Sequence, residues 1–242
     1  MTITGKTCVI TGASRGIGLE WAKQLLAQGN TVVATARDPA SSPGLSELSQ
    51  QFGDKLLLTS LEAASEAGIA EWAAQLKGKV SHIDVLINNA GMSVEGFEDG
   101  LAQLSASSLG DTLAVNAYGP LLVVQQLLKQ GLLGGYGPSL VAYTSSIMAS
   151  MGGFAFPNAK MYAYRASKAA LNMLVVTSVQ ELTAKNITSV MLHPGYVATD
   201  MTAGQPGTIP AAESVAGQLK LLQDGRPLNG KFYSYTGEEL AF

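Results

Sequence analysis

The chain has 242 residues, of which 47% are hydrophobic and 14% are charged, and its formal net charge is −3. This apolar content excludes an intrinsically disordered chain, and the slightly acidic balance argues against a nucleic-acid-binding protein, which needs clustered Lys and Arg. A membrane-spanning protein is also not expected. The most apolar stretches, Leu113–Leu133 and Met173–Val179, are interrupted by polar residues or are shorter than the ~20 residues that cross a bilayer.

Short β-branched runs alternate with helical patterns along the chain. The predicted strands are Lys6–Thr11, Thr31–Ala36, Lys55–Thr59, Ile83–Asn88, Leu140–Ser145, Ile187–His193 and Lys231–Tyr233. The predicted helices are Ile17–Gln28, Leu45–Phe52, Ser65–Leu76, Leu109–Leu132, Met161–Leu182 and Ala211–Leu222. Such alternation requires parallel strands joined by right-handed crossovers. We therefore predict one doubly wound α/β domain over residues 1–242, with a mostly parallel seven-stranded sheet and helices on both faces.

A glycine-rich loop, TGASRGIG at 11–18, joins the first predicted strand to the first helix. Gly12 permits a tight turn, Gly16 lets the backbone approach a pyrophosphate, and Gly18 lets the helix pack closely on the sheet. The helix N-terminus directs unpaired N–H groups and its positive dipole end at the phosphates. The sequence therefore predicts a Rossmann-type dinucleotide site, rather than an ordinary glycine-rich turn, with Gly12, Ser14, Arg15, Gly16, Ile17 and Gly18 as its binding residues.

The second predicted strand ends at Arg37 and Asp38, where the choice between two cofactors is made. An acidic residue here binds the ribose diol of NAD, whereas an arginine pairs with the 2′-phosphate of NADP. Spacing alone does not separate Arg37 from Asp38. Two of the four arginines of the chain, Arg15 and Arg37, are expected to point towards this corner, where their charge-assisted bonds favour the phosphorylated cofactor. We therefore expect NADP rather than NAD.

Tyr164 and Lys168 lie four residues apart in a strongly helical stretch, so they share one helix face. An ammonium beside a phenol stabilises the phenolate and is expected to lower the phenol pKa from about 10. A phenol tuned in this way is a usable general acid or base. Of the eight tyrosines in the chain, only Tyr164 has a lysine four residues later.

With these motifs in place, the chain resembles the short-chain dehydrogenase/reductase family over essentially its full length. The resemblance includes Asn88-Asn89-Ala90-Gly91 after the fourth strand, Asn116 within a helix, Ser145-Ser146 after the fifth strand, and Pro194-Gly195 followed by Thr199 after the sixth. More narrowly, the segments SSIMAS, YAYRASKAALN and LHPGYVATDM are similar to the sniffer-type carbonyl reductases and their C-factor-like relatives.

The resemblance implies a role for each site residue. Tyr164 would protonate the carbonyl oxygen as hydride arrives from the nicotinamide, and Lys168 would hold the nicotinamide ribose. Ser146 would bind the substrate oxygen, with Ser145 as a rival candidate, and Asn116 would support a water chain to Lys168. Glu62 stands where the family usually has Asp beside the adenine. The further cofactor-site residues that the resemblance implies are Arg37, Glu62, Ala63, Asn88, Ala90, Gly91, Tyr164, Lys168, Pro194, Gly195, Val197 and Thr199.

Ser146 precedes Tyr164 by 18 residues, a longer interval than the family commonly has. The extra residues fall within Ala149–Met161 and predict an enlarged loop beside the substrate. The segment 196–210, with Gly and Pro near its centre, is the expected mobile substrate lid. Several apolar residues either line a substrate pocket or pack in the core; they are Met92, Met148, Met151, Phe154, Phe156 and Met201.

The helices Leu109–Leu132 and Met161–Leu182 are apolar on more than one face, so we expect a partner subunit to cover them in a homodimer or homotetramer. The single Cys8 and the lack of a signal-peptide pattern predict a cytoplasmic protein. Because the chain has only two histidines, His82 and His193, no metal site is expected.

The leading hypothesis is therefore an NADPH-dependent reductase of a ketone, aldehyde or quinone, with Tyr164 as the general acid. Two alternatives stay open: a nucleotide-binding signalling protein of the C-factor-like type with little turnover, and an NAD-linked alcohol dehydrogenase. No motif names the substrate.

Overall fold

The computed structural model describes residues 2–94, 100–153, 155–158, 160–203 and 205–242. Its strands are β1 (Thr7–Ile10), β2 (Thr31–Ala36), β3 (Leu56–Ser60), β4 (Val85–Asn88), β5 (Ser139–Thr144), β6 (Ile187–His193) and β7 (Lys231–Ser234). Its helices are α1 (Gly16–Ala27), α2 (Pro43–Phe52), α3 (Glu66–Lys77), α4 (Ala106–Leu113), α5 (Gly119–Lys129), α6 (Tyr162–Thr183) and α7 (Ala211–Gln223).

The seven strands form one sheet in the order β3-β2-β1-β4-β5-β6-β7, and every neighbouring pair is parallel. Ile10 at the end of β1 pairs with Ala34 of β2 on one side and with Ile87 of β4 on the other. The strand order reverses between β1 and β4, which in doubly wound sheets opens a crevice at the carboxyl edge. The predicted fold class is confirmed.

Side chains alternate between the two faces of the sheet, as the period of two in a strand requires. In β1, Cys8 and Ile10 belong to one buried cluster with α1, α2 and α7, whereas Val9 belongs to a second cluster with α3, α5 and α6. Trp21 of α1 anchors the first cluster and Trp72 of α3 the second. Burial on both faces explains why the strands are almost wholly apolar.

The single helix predicted over Leu109–Leu132 is wrong in its bounds and its continuity. Helix α4 begins earlier, because Ser105 accepts from the Ser108 main-chain N–H and the Ser108 hydroxyl accepts from the Ser105 N–H. A π-helical turn, Ala114–Tyr118, then separates α4 from α5. Pro120 lies in the first turn of α5, where its missing N–H is tolerated.

Within the described ranges, no helix combines the length and the apolar character that a bilayer-spanning segment needs. In the same ranges, no group of three or more His, Cys, Asp or Glu side chains is placed to hold a metal ion.

Candidate active site

The loop between β1 and α1 lies at the carboxyl edge of the sheet and has the geometry of an anion cradle. Gly12 and Gly16 have φ values of +67° and +56°, a region that glycine adopts without a steric penalty. A methyl group on Gly18 would collide with the Gly12 carbonyl. Arg15 takes the N-cap position without a side-chain cap hydrogen bond, which leaves the first N–H groups of α1 available to an anion.

Ser14 and Ile17, both half-buried, occupy the middle of this loop. The Ser14 carbonyl accepts a hydrogen bond from the Ser42 hydroxyl at 2.6 Å. Ser42 in turn caps α2 by accepting from the Leu45 main-chain N–H at 3.3 Å. The phosphate loop is therefore tied to the start of α2.

Asn89, which the motifs did not single out as a site residue, fastens the same loop to the end of β4. Its Nδ2 donates to the carbonyl oxygens of Thr11 and Gly12, both at 3.1 Å. The Thr11 hydroxyl accepts from the main-chain N–H groups of Asn89 and Ala90, both at 3.0 Å. A methyl group on Gly12 would lie 2.8 Å from the Ala90 Cα. The two loops thus form one packed unit.

Asn88, a predicted cofactor-site residue, is the last residue of β4. It is buried, and its Nδ2 is directed at the Pro120 carbonyl at 3.5 Å. The side chain therefore joins β4 to α5, and its neighbour Asn89 makes the contacts with the phosphate loop.

At the end of β2, Arg37 and Asp38 are both exposed. The Asp38 carboxylate accepts from the Ala40 main-chain N–H at 3.2 Å and so caps the short 3₁₀ turn that follows. Arg37 forms no ion pair with any residue that the structure describes. Of the two, Arg37 has the side chain that remains uncommitted.

The Arg15 side chain has a partner that the motifs did not indicate. Its Nη1 forms an ion pair with Asp200 Oδ2 at 3.1 Å, and both side chains are exposed. Asp200 follows β6, so opposite charge draws Arg15 across the phosphate loop. A methyl group on Gly16 would lie 3.2 Å from Thr199 Cγ2. The phosphate loop and the segment after β6 are therefore also in close contact at this second point.

Glu62 and Ala63 lie just beyond β3. The exposed Glu62 carboxylate accepts from the Ala64 main-chain N–H at 3.4 Å, within its own turn. A methyl group on Gly119 would collide with the Ala63 carbonyl. Ala63 therefore packs against the first residue of α5.

Two closely packed residues follow β6. The Pro194 carbonyl accepts from the Ser214 hydroxyl at 2.5 Å, which connects this turn to α7. Gly195 has a φ of +87°, and a methyl group there would lie 2.8 Å from the Tyr235 ring. Only glycine fits this turn without displacing the ring.

The next residues close the base of the segment 196–210. Val197 is buried and forms a parallel bridge with Ile209, and the Ile209 N–H donates to the Tyr196 carbonyl at 2.8 Å. The Thr199 N–H donates to the Thr202 hydroxyl at 3.0 Å. Both ends of the segment are therefore fixed to each other; Gly204 lies outside the described residues.

Ser146, Tyr164 and Lys168 lie together beyond the end of β5. The Tyr164 phenol and the Ser146 hydroxyl are hydrogen-bonded. Lys168 Nζ lies 5.9 Å from the centre of the Tyr164 ring, on the shared helix face that the spacing predicts. The same Nζ donates to the carbonyl oxygen of Thr144, the last residue of β5, at 2.7 Å.

The pKa of Tyr164 is shifted opposite to the expected direction. Burial raises it above the ordinary value of a phenol, and the hydrogen bond with Ser146 opposes this rise only in part. Burial also lowers the pKa of Lys168, to about 8, and the Lys168 ammonium donates to the Thr144 carbonyl. The phenol is therefore protonated at neutral pH.

The two adjacent serines have different partners. Ser145 Oγ donates to Asn172 Oδ1 of α6 at 2.6 Å, and both residues are buried. Ser146 Oγ accepts from the Met148 N–H at 3.2 Å and contacts the Tyr164 phenol. The geometry places Ser146, rather than Ser145, beside the reactive phenol.

Asn116 lies in the π-helical turn and is fully buried. Its Oδ1 accepts from the Met92 N–H and its Nδ2 donates to the Met92 carbonyl, both at 2.8 Å. Nδ2 also donates to Ser167 Oγ at 3.0 Å, and Ser167 donates to the Tyr164 carbonyl at 2.8 Å. Asn116 thereby connects the loop after β4 with the helix that carries the tyrosine. π-Turns of this kind are frequent at functional sites.

The sequence profile of the family described as short chain dehydrogenase matches residues 6–208. The chain belongs to this family. It is an oxidoreductase of the short-chain dehydrogenase family, and the expected relation to sniffer-type and C-factor-like members is confirmed by three similar proteins.

The first of these, the C-signal of Myxococcus xanthus, is 40% identical over 162 residues, which cover 65% of this chain and 92% of that protein. The NADPH-bound carbonyl reductase from chicken fatty liver is 29% identical with a TM-score of 0.87, covering 99% of this chain and 100% of its own. Carbonyl reductase Sniffer of D. melanogaster is 26% identical with a TM-score of 0.87 and the same coverage.

The long serine–tyrosine interval of this short-chain dehydrogenase forms a loop after β5. Met151 and Phe156 of this loop are 76% and 61% exposed, so they do not pack in the core. Met201 is 42% exposed, whereas Met92 and Met148 are half-buried; Phe154 lies outside the described residues. The guanidinium of Arg165, a second residue that the motifs did not single out, lies against this loop.

Proposed function

We propose that this short-chain dehydrogenase is an NADPH-dependent reductase that converts a ketone, aldehyde or quinone to the alcohol. One observation carries the proposal: the Tyr164 phenol is hydrogen-bonded to Ser146, and the helix that carries this tyrosine also carries the buried Lys168. All three lie at the carboxyl edge of the sheet, beside the loop shaped to bind a pyrophosphate.

The residues of the crevice fit a dinucleotide. Gly12 and Gly16 let the loop turn at positive φ, and the uncapped start of α1 leaves its first N–H groups available to a pyrophosphate. A methyl group on Gly91 would lie 3.3 Å from Asn116 Oδ1 and 3.6 Å from Lys168 Nζ, so glycine keeps the approach to Lys168 open. When bound, NADPH supplies the hydride that reduces the carbonyl carbon.

The protein's own residues would supply the proton that the carbonyl oxygen takes up during reduction. Tyr164, kept protonated by its raised pKa, donates its proton to the carbonyl oxygen as general acid. Ser146, whose Oγ already accepts from the Met148 N–H, directs its own proton at the same oxygen and stabilises the charge that develops there. Lys168 has further ammonium protons beyond the one held by Thr144, and these are available to ribose hydroxyls.

Arg37 supports NADPH rather than NADH as the preferred cofactor. Its exposed guanidinium ends β2 at the position where a 2′-phosphate is recognised in Rossmann-type sites. Asp38, the residue that would favour the diol of NAD, has its carboxylate committed to the Ala40 N–H. The NADPH that the chicken carbonyl reductase binds supports the same choice.

The test is NADPH oxidation with a panel of aliphatic, aromatic and dicarbonyl substrates. Because general acid catalysis contributes about 100-fold or more, Tyr164→Phe should lower kcat/KM by at least that factor on every accepted substrate. Tyr162→Phe is the matched control, since it removes a nearby exposed phenol from the same helix, and it should match the parent. Equal activity of Tyr164→Phe and the parent would show that the assigned acid is wrong.

The likeness to the C-signal favours a second candidate, a nucleotide-binding signalling protein with little turnover. This candidate predicts tight NADPH binding, no oxidation with any carbonyl, and an identical outcome for Tyr164→Phe and the parent in any signalling assay. The same substrate panel therefore separates the two functions.

We further propose that the enzyme is a homodimer or homotetramer formed through α6 and the neighbouring α4–α5 region. Helix α6 exposes Met173, Leu174 and Val176, an apolar row that a second copy would cover. Light scattering at micromolar concentration should give a multiple of the chain mass. Replacing Met173 and Val176 by Glu should reduce that mass to the monomer's.

The segment 196–210 is proposed as the substrate lid of a single nucleotide-binding domain formed by residues 1–242. The bridge between Val197 and Ile209 fixes the two ends of the lid, so closure would move the residues between them. Bound NADPH should slow proteolytic cleavage within the segment. We also propose a cytoplasmic location, which fits the single cysteine, Cys8, a free and buried thiol; cell fractionation would test the location.

A further inference from the structure

Arg165 directly follows Tyr164 in α6, and its guanidinium extends into the loop after β5. Among the residues that the structure describes, it donates to four main-chain carbonyl oxygens. The acceptors are Met148 at 3.3 Å, Ala155 at 2.9 Å, Phe156 at 2.6 Å and Lys160 at 3.2 Å. Because the guanidinium is a rigid planar fork, one side chain fixes both ends of the segment 149–161 relative to α6.

The same contacts reach the reactive groups. Arg165 Nη1 binds the Met148 carbonyl, and the Met148 N–H donates to Ser146 Oγ at 3.2 Å. Ser146 is hydrogen-bonded to Tyr164, the chain neighbour of Arg165. These four residues therefore form a closed ring of contacts that links the arginine to the serine and the tyrosine.

The segment also has backbone conformations that need external support. Phe156 and Met161 have φ values of +54° and +41°, which non-glycine residues rarely adopt. The Arg165 guanidinium binds the Phe156 carbonyl directly and the carbonyl of Lys160, the residue before Met161. The arginine side chain thus holds the chain at the first unusual position and next to the second, and the Phe156 side chain stays exposed.

We propose that Arg165 is a positioning residue that determines substrate specificity. It holds the segment 149–161 as an apolar wall, with Met151 and Phe156 towards bulky carbonyl substrates, and it keeps the Ser146 hydroxyl aligned with the Tyr164 phenol. The inference rests on the proposed reductase function for its kinetic consequence, although the structural part is independent of turnover.

The kinetic test compares Arg165→Ala with the parent on a small aliphatic carbonyl and on a bulky aromatic ketone. Loss of the wall should raise KM for the aromatic ketone by about 10-fold or more relative to the small carbonyl, the scale of apolar pocket contacts. The Kd for NADPH should stay within about twofold of the parent value, because the phosphate loop is untouched. Arg165→Lys should not restore the parent, since one ammonium cannot contact four carbonyls.

Arg226→Ala is the matched control, because Arg226 is held by Asp224 and the Gly237 carbonyl instead; it should behave as the parent. Equal changes in KM for the two substrates in Arg165→Ala, or no change for either, would overturn the specificity role. Arg165→Gln, which keeps two donors, replaces the alanine variant if that variant does not fold.

Hydrogen exchange tests the positioning without any turnover. The Gly152 N–H donates to the Phe242 carbonyl and the Gly153 N–H to Ser150 Oγ, both at 2.9 Å. In Arg165→Ala these two amides should exchange about 10-fold faster or more, while β6 keeps its protection. Unchanged protection would refute the inference. If the parent oxidised no NADPH, the proposed function would fail, and the exchange experiment would still decide the role of Arg165.

Discussion

Lys168 Nζ donates to the carbonyl oxygen of Thr144 at 2.7 Å and therefore fastens α6 to the end of β5. The contact fixes the ammonium at the strand end that precedes Ser146, 5.9 Å from the centre of the Tyr164 ring. One ammonium proton is used in the structure, and the others remain for ligands. Desolvation of this buried cation has measurable consequences for stability.

Lys168→Met should change the pH dependence of unfolding. Burial lowers the folded-state pKa of Lys168 from 10.5 to about 8, so burying the charged lysine destabilises the folded protein. This destabilisation is absent above pH 10.5, where the lysine is neutral in both states, and is complete below pH 8. The parent should therefore lose about 3 kcal/mol relative to Lys168→Met as pH falls from 10.5 to 8. Urea unfolding of both proteins across this range measures the difference. A constant difference would mean that the lysine is not desolvated.

The two serines should give opposite outcomes. Ser146→Ala should lower kcat by about 100-fold, the scale of losing one donor to the developing oxyanion, with little change in stability. Ser145→Ala should keep kcat but lose about 1–3 kcal/mol of stability, because the buried Asn172 Oδ1 loses its donor. Steady-state kinetics and urea unfolding on the same preparations check both. An inactive, fully stable Ser145→Ala would reverse the assignment.

Arg37→Ala should weaken NADPH binding selectively. A hydrogen bond to a charged group contributes about 1.5–3 kcal/mol, so Kd for NADPH should rise about 10- to 150-fold while Kd for NADH stays unchanged. Fluorescence titration with both cofactors measures this. Arg15→Ala is the companion variant, and its effect should be smaller because Asp200 already holds that side chain. Equal weakening of both cofactors by Arg37→Ala would contradict a 2′-phosphate contact.

Asn89→Ala should weaken both cofactors together. Its amide holds the Thr11 and Gly12 carbonyls of the phosphate loop, and their loss loosens a loop that binds the part common to NADPH and NADH. We expect a stability loss of about 1–3 kcal/mol and equal rises in Kd for the two cofactors. Thr11→Val, which removes the acceptor for two N–H groups, should act in the same direction. A selective loss of NADPH alone would rule out this bracing role.

Much of the fold was predictable because its signals are local. The seven apolar runs and the glycines at 12, 16 and 18 predict a parallel sheet with a phosphate loop. Gly12 and Gly16 have positive φ values, as the tight turn of that loop requires. The pairing of Tyr164 with Lys168 on one face also follows from helix geometry alone.

Long-range contacts were not predictable in the same way. Asp200 lies 185 positions after Arg15 in the sequence, and only the folded chain shows that it attracts this guanidinium. The pKa of Tyr164 depends on its burial, which the i, i+4 spacing does not reveal. Arg165 resembles an ordinary helix residue until the loop after β5 is seen to wrap around its guanidinium.

The π-helical turn Ala114–Tyr118 contains one more residue than a regular α-helical turn would, and the site depends on this extra residue. Each residue of an α-helix advances the chain by about 100°, so removing one residue here would merge α4 and α5 into an uninterrupted helix. Asn116 would then rotate away from Met92 and Ser167, its present partners. We expect this single deletion to abolish catalysis while helix content by circular dichroism stays the same or rises, an outcome that no exposed substitution in α4 should reproduce.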